Sequence, residues 1–355
     1  MADNEKINLK ELTLEQTLKL AVELGKKEYS GRQLFKWIFR HGADNFKVMT
    51  DLSKPFRTLL DERCEVLKLQ KIDSIGSDDG TAKTVWRTAD GLFIESVLIP
   101  DEDRLTLCMS SQAGCPIGCG FCATGKMGFS RNLSSGEIYD QYMQTMLGLK
   151  DNTRITNIVF MGMGEPLLNY DNLLKATNIL TDQFGAGLSA KKITISTVGL
   201  VNGIYRLADD NPRLNLAISL HTAIEVKREK LIPIASKYPL AKLKEAAVHY
   251  ARVSDNRVTF EYLLIRDIND GITDAKALAE YVRGIPCKIN LITYNAVDGL
   301  TYKSPSRKSV LAFRDYLYPR TPAVTLRKSK GADIAAACGQ LAGRQVAELN
   351  DNRQL

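Results

Sequence analysis

Three cysteines fall within eight residues of this chain, Cys115, Cys119 and Cys122 in "GCPIGCGFCATG". Structural zinc takes four ligands and disulfides take pairs, so three thiolates at the spacing C-x3-C-x2-C fit neither pattern. Short loops of this kind hold iron–sulfur clusters through cysteine thiolates. A four-iron cluster bound by three cysteines leaves its fourth iron open to a further ligand. Gly114, Gly118 and Gly120 allow close backbone approach to such a cluster. A zinc site completed by a distant fourth ligand, or reduced structural cysteines, are the competing readings. The other cysteines, Cys64, Cys108, Cys287 and Cys338, are scattered, and an odd total of seven argues against a disulfide framework. Only three histidines are present, His41, His221 and His249, so a histidine-rich metal site has few candidates.

These side chains need a scaffold, and the hydrophobic pattern supplies one. Residues 1–64 read as a small helical unit, with "LTLEQTLKLAVELG" and "SGRQLFKWIFRHG" apolar at helical spacing and Ser30 as the N-cap of the second helix. Residues 65–100 alternate between apolar and polar around "DDG" and "ADG" turns, which predicts a short antiparallel β extension. From residue 101 to 345 strands and helices alternate, leaving a C-terminal tail at 346–355. The strands are "RLTLCMSS", "RITNIVFMG", "KKITISTVG", "LNLAISLH", "VTFEYLLI" and "CKINLITYN", with a last short one at "AVTLRKS". Six β-then-α units predict a parallel sheet, as a partial (β/α)6 barrel or as an open doubly wound sheet. Either fold puts its chemistry at the carboxyl ends of the strands. Those ends carry "GCPIGCGFC", "GMGEP", "STVG", "SLH" and "YN".

Of 355 residues, 44% are hydrophobic and 25% charged, as in ordinary soluble domains. A net charge of +7 permits a polyanionic partner without demonstrating one. No stretch approaches the roughly 18–20 uncharged apolar residues of a membrane span, and "MADNEKINLKELTL" is not a secretory signal. A cytoplasmic protein with no membrane partner is the simplest expectation.

The cysteine loop after the first strand, with Phe121 before its last cysteine and "GMGEP" at 162–166, resembles the radical S-adenosylmethionine (SAM) superfamily. "SSQAGCPIGCGFCATGKMGFSRNL", "FMGMGEPLLNYDN", "AISLHT", "CKINLITYN" and "ACGQLAG", in that order, narrow the likeness. Together with "GRQLFKWIF" in the helical unit, they make nearly the whole chain similar to the RlmN/Cfr family of RNA adenosine methyltransferases. The resemblance implies a radical SAM partial barrel with a helical N-terminal module that recognises RNA. It implies a [4Fe–4S] cluster on Cys115, Cys119 and Cys122, and two SAM molecules per turnover. SAM contacts would come from Gly164, Glu165, Ser196, Ser219, Leu220, His221 and Asn295. Cys338 would carry the methyl group as S-methylcysteine, Cys108 would release the product through a transient disulfide with Cys338, and Glu95 would accept a proton.

The implied substrates are an adenosine of the 23S rRNA peptidyl transferase centre and an anticodon-loop adenosine of tRNA, methylated at carbon 2. "GMGEPLLN" and "GQLAG" look more like that branch than like the carbon-8 branch, which confers antibiotic resistance and stays an alternative, as does a radical SAM enzyme acting on a non-RNA substrate. A ring carbon inside a helix is out of reach, so the adenosine must lie in a loop or be flipped out. An electron donor such as flavodoxin or ferredoxin is implied, and a monomer is expected. Taken singly, Cys108 and Cys338 read as buried small hydrophobes, Glu95 as a solvated carboxylate and His221 as a satisfied structural histidine. "KKEYSGR", "VKREK" and "RKSK" read as solvated faces.

Overall fold

A computed structural model describes residues 6–341. The tail expected at 346–355, and the last residues expected for the core, lie outside the described residues.

The helical unit contains α1 (Leu14–Glu23), α2 (Glu28–Phe39) and α3 (Lys54–Arg63). Thr13 and Gln16 cap α1 reciprocally, each side chain bonding the other's backbone N–H. α2 starts earlier than the sequence predicts. Its N-cap is Lys27, and Ser30 lies inside the helix. The cause is packing: a Cβ on Gly31 would sit 2.8 Å from Leu18 Cα, so α1 and α2 cross backbone against backbone and the helix must already be formed there. Leu34, Phe35, Ile38 and Phe39 are fully buried, and the Phe39 ring meets Tyr139 edge-on at 5.0 Å between centroids. Truncating such an aromatic to alanine costs about 3–5 kcal/mol.

Ten strands form one sheet: β1 (Gln70–Gly76), β2 (Ala82–Arg87), β3 (Phe93–Asp101), β4 (Arg104–Cys108), β5 (Asn157–Phe160), β6 (Ile193–Thr197), β7 (Asn215–Ser219), β8 (Val258–Leu264), β9 (Cys287–Thr293) and β10 (Val324–Arg327). They lie side by side in sequence order. β1 to β4 pair antiparallel, and β4 to β10 pair parallel. The expected β extension at 65–100 is therefore continuous with the sheet of the core. The boundary expected near residue 100 falls in the tight β3–β4 hairpin, which Glu102 turns at φ +48°.

Crossovers run through α4 (Ser135–Leu147), α5 (Tyr170–Thr181), α6 (Val201–Asp210), α7 (Glu225–Leu231), α8 (Leu240–Ser254), α9 (Ile272–Tyr281) and α10 (Arg307–Leu317). All seven residues of β8 are buried, as expected of a parallel strand covered on both faces. Among the described residues no pairing joins β10 to β1, so the barrel is partial.

Candidate active site

After β4 the chain forms a small hairpin, Gln112–Gly114 against Phe129–Asn132, and the loop between its arms presents the three cysteines. Gly114 pinches the base of this loop shut. It adopts φ +80°, and a Cβ there would fall 2.1 Å from the Gly128 carbonyl oxygen. From the other side, Gly120 N–H donates to Leu231 O of α7 at 3.1 Å, while Ile117 and Phe121 pack with Leu231 and Ile232. Burial pushes the Cys115 thiol up to about 12 and the Cys119 thiol well above its ordinary value. Binding iron at these positions must therefore displace thiol protons.

Among the described residues, no group of three or more His, Cys, Asp or Glu side chains converges on a point where a single metal ion could bind. A four-iron cluster needs no such point, because each thiolate binds a different iron.

The cysteines form one wall of a hollow with about 880 Å3 of empty space, part of it open to solvent. The carboxyl ends of successive strands supply the rest: Gly164 and Glu165 after β5, Ser196 on β6, and Ser219 and His221 at the end of β7. Glu165 is a staple. Its carboxylate accepts Leu167 N–H at 3.1 Å and Val198 N–H at 2.8 Å, tying the loop after β5 to the loop after β6. Burial raises its pKa to about 7 against those two bonds. Gly164, at φ +101°, lies against Gln112, where a Cβ would be 2.6 Å from Gln112 Cβ. Gln112 Oε1 accepts Glu165 N–H at 2.8 Å, so the hairpin below the cysteine loop sets the height of the "GMGEP" segment.

His221 Nδ1 accepts Leu263 N–H at 3.1 Å, and burial pushes its pKa down to about 3, with the Arg228 charge adding to the effect. The imidazole is therefore neutral, with its proton on Nε2 by inference from that bond. Leu220 is buried in the core, and its N–H is committed to Glu261 O. Asn295 has a buried amide nitrogen with no partner in the protein. Asn295 itself does not line the hollow, and an unpaired buried donor suits a ligand rich in acceptors, such as SAM.

Cys338 also lines the hollow. The residue is exposed, yet its thiol is enclosed by enough protein to hold its pKa above the ordinary value. Cys108 is buried at the end of β4, where burial, and next the proximity of Cys338, push its thiol up to about 12. Both thiols are free. Glu95 is fully buried and is not the solvated strand carboxylate that its sequence context suggests. It pairs at 3.3 Å with Lys83, itself only 3% exposed.

The match to known proteins is extensive. Residues 7–66 match the ribosomal RNA large subunit methyltransferase N-terminal domain, and residues 109–279 match the radical SAM superfamily. A Desulfotalea psychrophila protein named dual-specificity RNA methyltransferase RlmN is 44% identical, over 96% of this chain and 96% of its own. The chain belongs to the RlmN family of radical SAM RNA methyltransferases. A Chloroherpeton thalassium relative, named a probable RlmN, is 45% identical over 96% of this chain and 95% of its own. The crystal structure of a radical SAM methyltransferase from Sphaerobacter thermophilus superposes with a TM-score of 0.89 at 39% identity, covering 95% of this chain and all of that one. Membership brings with it a [4Fe–4S] cluster and SAM as cofactors.

Three polar groups at this RlmN-type site escape sequence reasoning. Glu261 lines the hollow with one carboxylate oxygen unpartnered, the other accepting Asn290 Nδ2 at 2.9 Å. Its signal was a lone acid inside the apolar strand "VTFEYLLI". Lys83 gave a similar signal inside "TAKTVW". Arg228, in the run "VKREK", is fully buried and donates to Val198 O; nothing distinguished it from a solvated charge. Among the described residues no helix is long and apolar enough to cross a membrane.

Proposed function

We propose that this RlmN family member methylates carbon 2 of an adenosine in the peptidyl transferase centre of 23S rRNA, and of an anticodon-loop adenosine in tRNA. One observation carries the reading: Cys338, more than 200 residues distant in sequence from the cluster cysteines, lines the same hollow as they do. Carbon 2 of adenine is electrophilic, so direct polar methyl transfer finds no nucleophile there, whereas a thiol that first carries the methyl group and then lets it go removes that obstacle. When bound, the cluster and SAM supply the methyl group and the one-electron chemistry. Gly164, Glu165, Ser196, Ser219, Leu220, His221 and Asn295 would hold SAM.

The protein's own share falls to three side chains. Cys338 carries the methyl group and tethers the RNA. Glu95 accepts the proton lost from the ring carbon. Cys108 closes a disulfide with Cys338 and so frees the product. The helical module at 1–64 recognises the RNA, and an electron donor of the flavodoxin or ferredoxin type reduces the cluster of a cytoplasmic, monomeric enzyme.

Mass spectrometry of digested rRNA and tRNA, from cells with and without the gene, tests the reading. Loss of 2-methyladenosine from both RNAs is the expected result. A methyl group on carbon 8 would overturn the branch, and unchanged RNA would overturn the substrate. Replacing Cys338 with alanine should abolish methylation while leaving iron and sulfide content intact.

A further inference from the structure

The segment that carries Cys338 follows β10 and is tied down on both sides of the cysteine. On its far side, Gly339 O accepts Ala123 N–H at 2.8 Å, and Leu341 O accepts Thr124 Oγ1–H at 2.9 Å. Both donors belong to the short helix that follows Cys122. On its near side the partner is the β1–β2 hairpin, to which the sequence assigns no role. Ser77 Oγ donates to Asp333 Oδ1 at 2.7 Å. The Asp79 carboxylate accepts Thr81 N–H at 2.9 Å through one oxygen and Gly331 N–H at 3.0 Å through the other. Gly331 must be glycine for this approach, because it adopts φ +66° and a Cβ would meet Thr81 Cγ2 at 2.8 Å. Ala335 adopts φ +51°, a conformation that a residue with a side chain keeps only when its surroundings hold it.

What holds Ala335 is Lys83. Its buried ammonium donates to Ala335 O at 3.3 Å and pairs with Glu95 at the same distance. The strand register adds the third group. Lys83 pairs with Val97 across β2–β3, and Val97 pairs with Cys108 across β3–β4. Lys83 and Cys108 therefore flank Val97 on one face of the sheet. A single cation thus links the loop of Cys338 to Glu95 on the face that carries Cys108.

We propose that the β1–β2 hairpin, through Asp79 and Lys83, is a positioning platform that sets the Cys338 thiol over the hollow and within reach of Cys108. This deepens the reading of Cys338 as methyl carrier and rests on it. The full-length, cluster-loaded enzyme tests it by timed oxidation with diamide, which takes both thiol hydrogens and two electrons, becomes the hydrazine, and leaves a Cys108–Cys338 disulfide. Peptide mapping under non-reducing conditions reads the rate.

Disulfide formation should slow at least fivefold in Asp79→Ala and tenfold in Lys83→Met, and stay within threefold of wild type in Lys83→Arg. In Asp79→Ala and Lys83→Met, 5′-deoxyadenosine production should stay within twofold while the number formed per methylated RNA rises severalfold. A structural defect would instead lower both products together and leave that ratio unchanged. Wild-type disulfide rates in both Asp79→Ala and Lys83→Met, or an unchanged ratio, would overturn the platform. Failure of the wild-type enzyme to form the disulfide would overturn the Cys108–Cys338 pairing itself, a separate result. Should Lys83→Met not fold, Asp79→Ala decides alone, because Asp79 lies at the surface.

Discussion

Lys10 and Asp140 join the helical module to the barrel, and replacing Lys10 with methionine should loosen that joint measurably. The ammonium lies 2.5 Å from Asp140 Oδ1, with the side chains 3% and 1% exposed. Asp140 is also held by Leu69 N–H at 2.6 Å and by Gln144 Nε2 at 3.1 Å. Removing the lysine strands a carboxylate in the interior, which costs about 3–5 kcal/mol; the two surviving hydrogen bonds favour the low end. With a urea slope of about 3 kcal/mol/M, the midpoint should fall by about 1–1.7 M.

The two tryptophans give the assay. Trp37 lies on α2 and bonds Asp51, whereas Trp86 lies on β2 and bonds Ser96. In a Trp86→Phe background, fluorescence follows the module alone. The Trp37 transition should move to lower urea in Lys10→Met, and Lys10→Met with Asp140→Asn should recover most of the loss, because asparagine keeps an acceptor for Leu69 N–H without the charge. A shift below about 0.3 M in Lys10→Met, or no recovery in the double variant, would refute the argument.

Cys108→Ala should let RNA become attached to Cys338 without release, so a protein–RNA adduct should accumulate on denaturing gels; normal turnover would remove Cys108 from the product-release step. Gly164→Ala should lower SAM affinity at least tenfold by equilibrium dialysis, because its φ and its contact with Gln112 both exclude a Cβ, and affinity within twofold of wild type would contradict this. The Arg131 guanidinium beside Asp90 holds that carboxyl below its usual range. A depressed folded value adds stability that is fully present above the unfolded value of about 3.9 and is lost progressively as the pH falls from there through the folded value. Urea midpoints of wild type and Asp90→Asn should therefore differ at pH 7, and the gap should begin to narrow below about pH 4. The gap should be under about 1 kcal/mol, because Asp90 is half exposed.

The parallel units were legible because each must bury an apolar strand, and turn residues separate strand from helix at nearly every step. The cysteine loop was legible because its spacing has few uses. What the sequence hid was set by close approach and by charge without context. Ser30 has the chemistry of an N-cap, yet the contact between Gly31 and α1 starts the helix before it. The "DDG" turn read as a connection, whereas its second aspartate reaches the loop of Cys338, 252 residues away in sequence from the glycine it binds. Arg228 sits in a run that looks solvated, and only the fold shows that α7 turns it inward.

The order of the ten strands has a consequence for how the enzyme is made. Each strand finds its partner in the strand synthesised just before it, so a chain emerging from its N-terminus can extend the sheet one unit at a time without waiting for a distant segment. The loop for the cluster ligands is complete before the parallel strands that follow it, β5 to β10, are made, and the walls of the hollow follow in turn. Cys338 comes after all ten strands, onto a platform built from the first two. On the proposed role of Cys338, a chain cut short before it would present the cluster loop and most of the proposed SAM site with no thiol to receive a methyl group. Synthesis of the segment after β10 would then be the step that adds the acceptor.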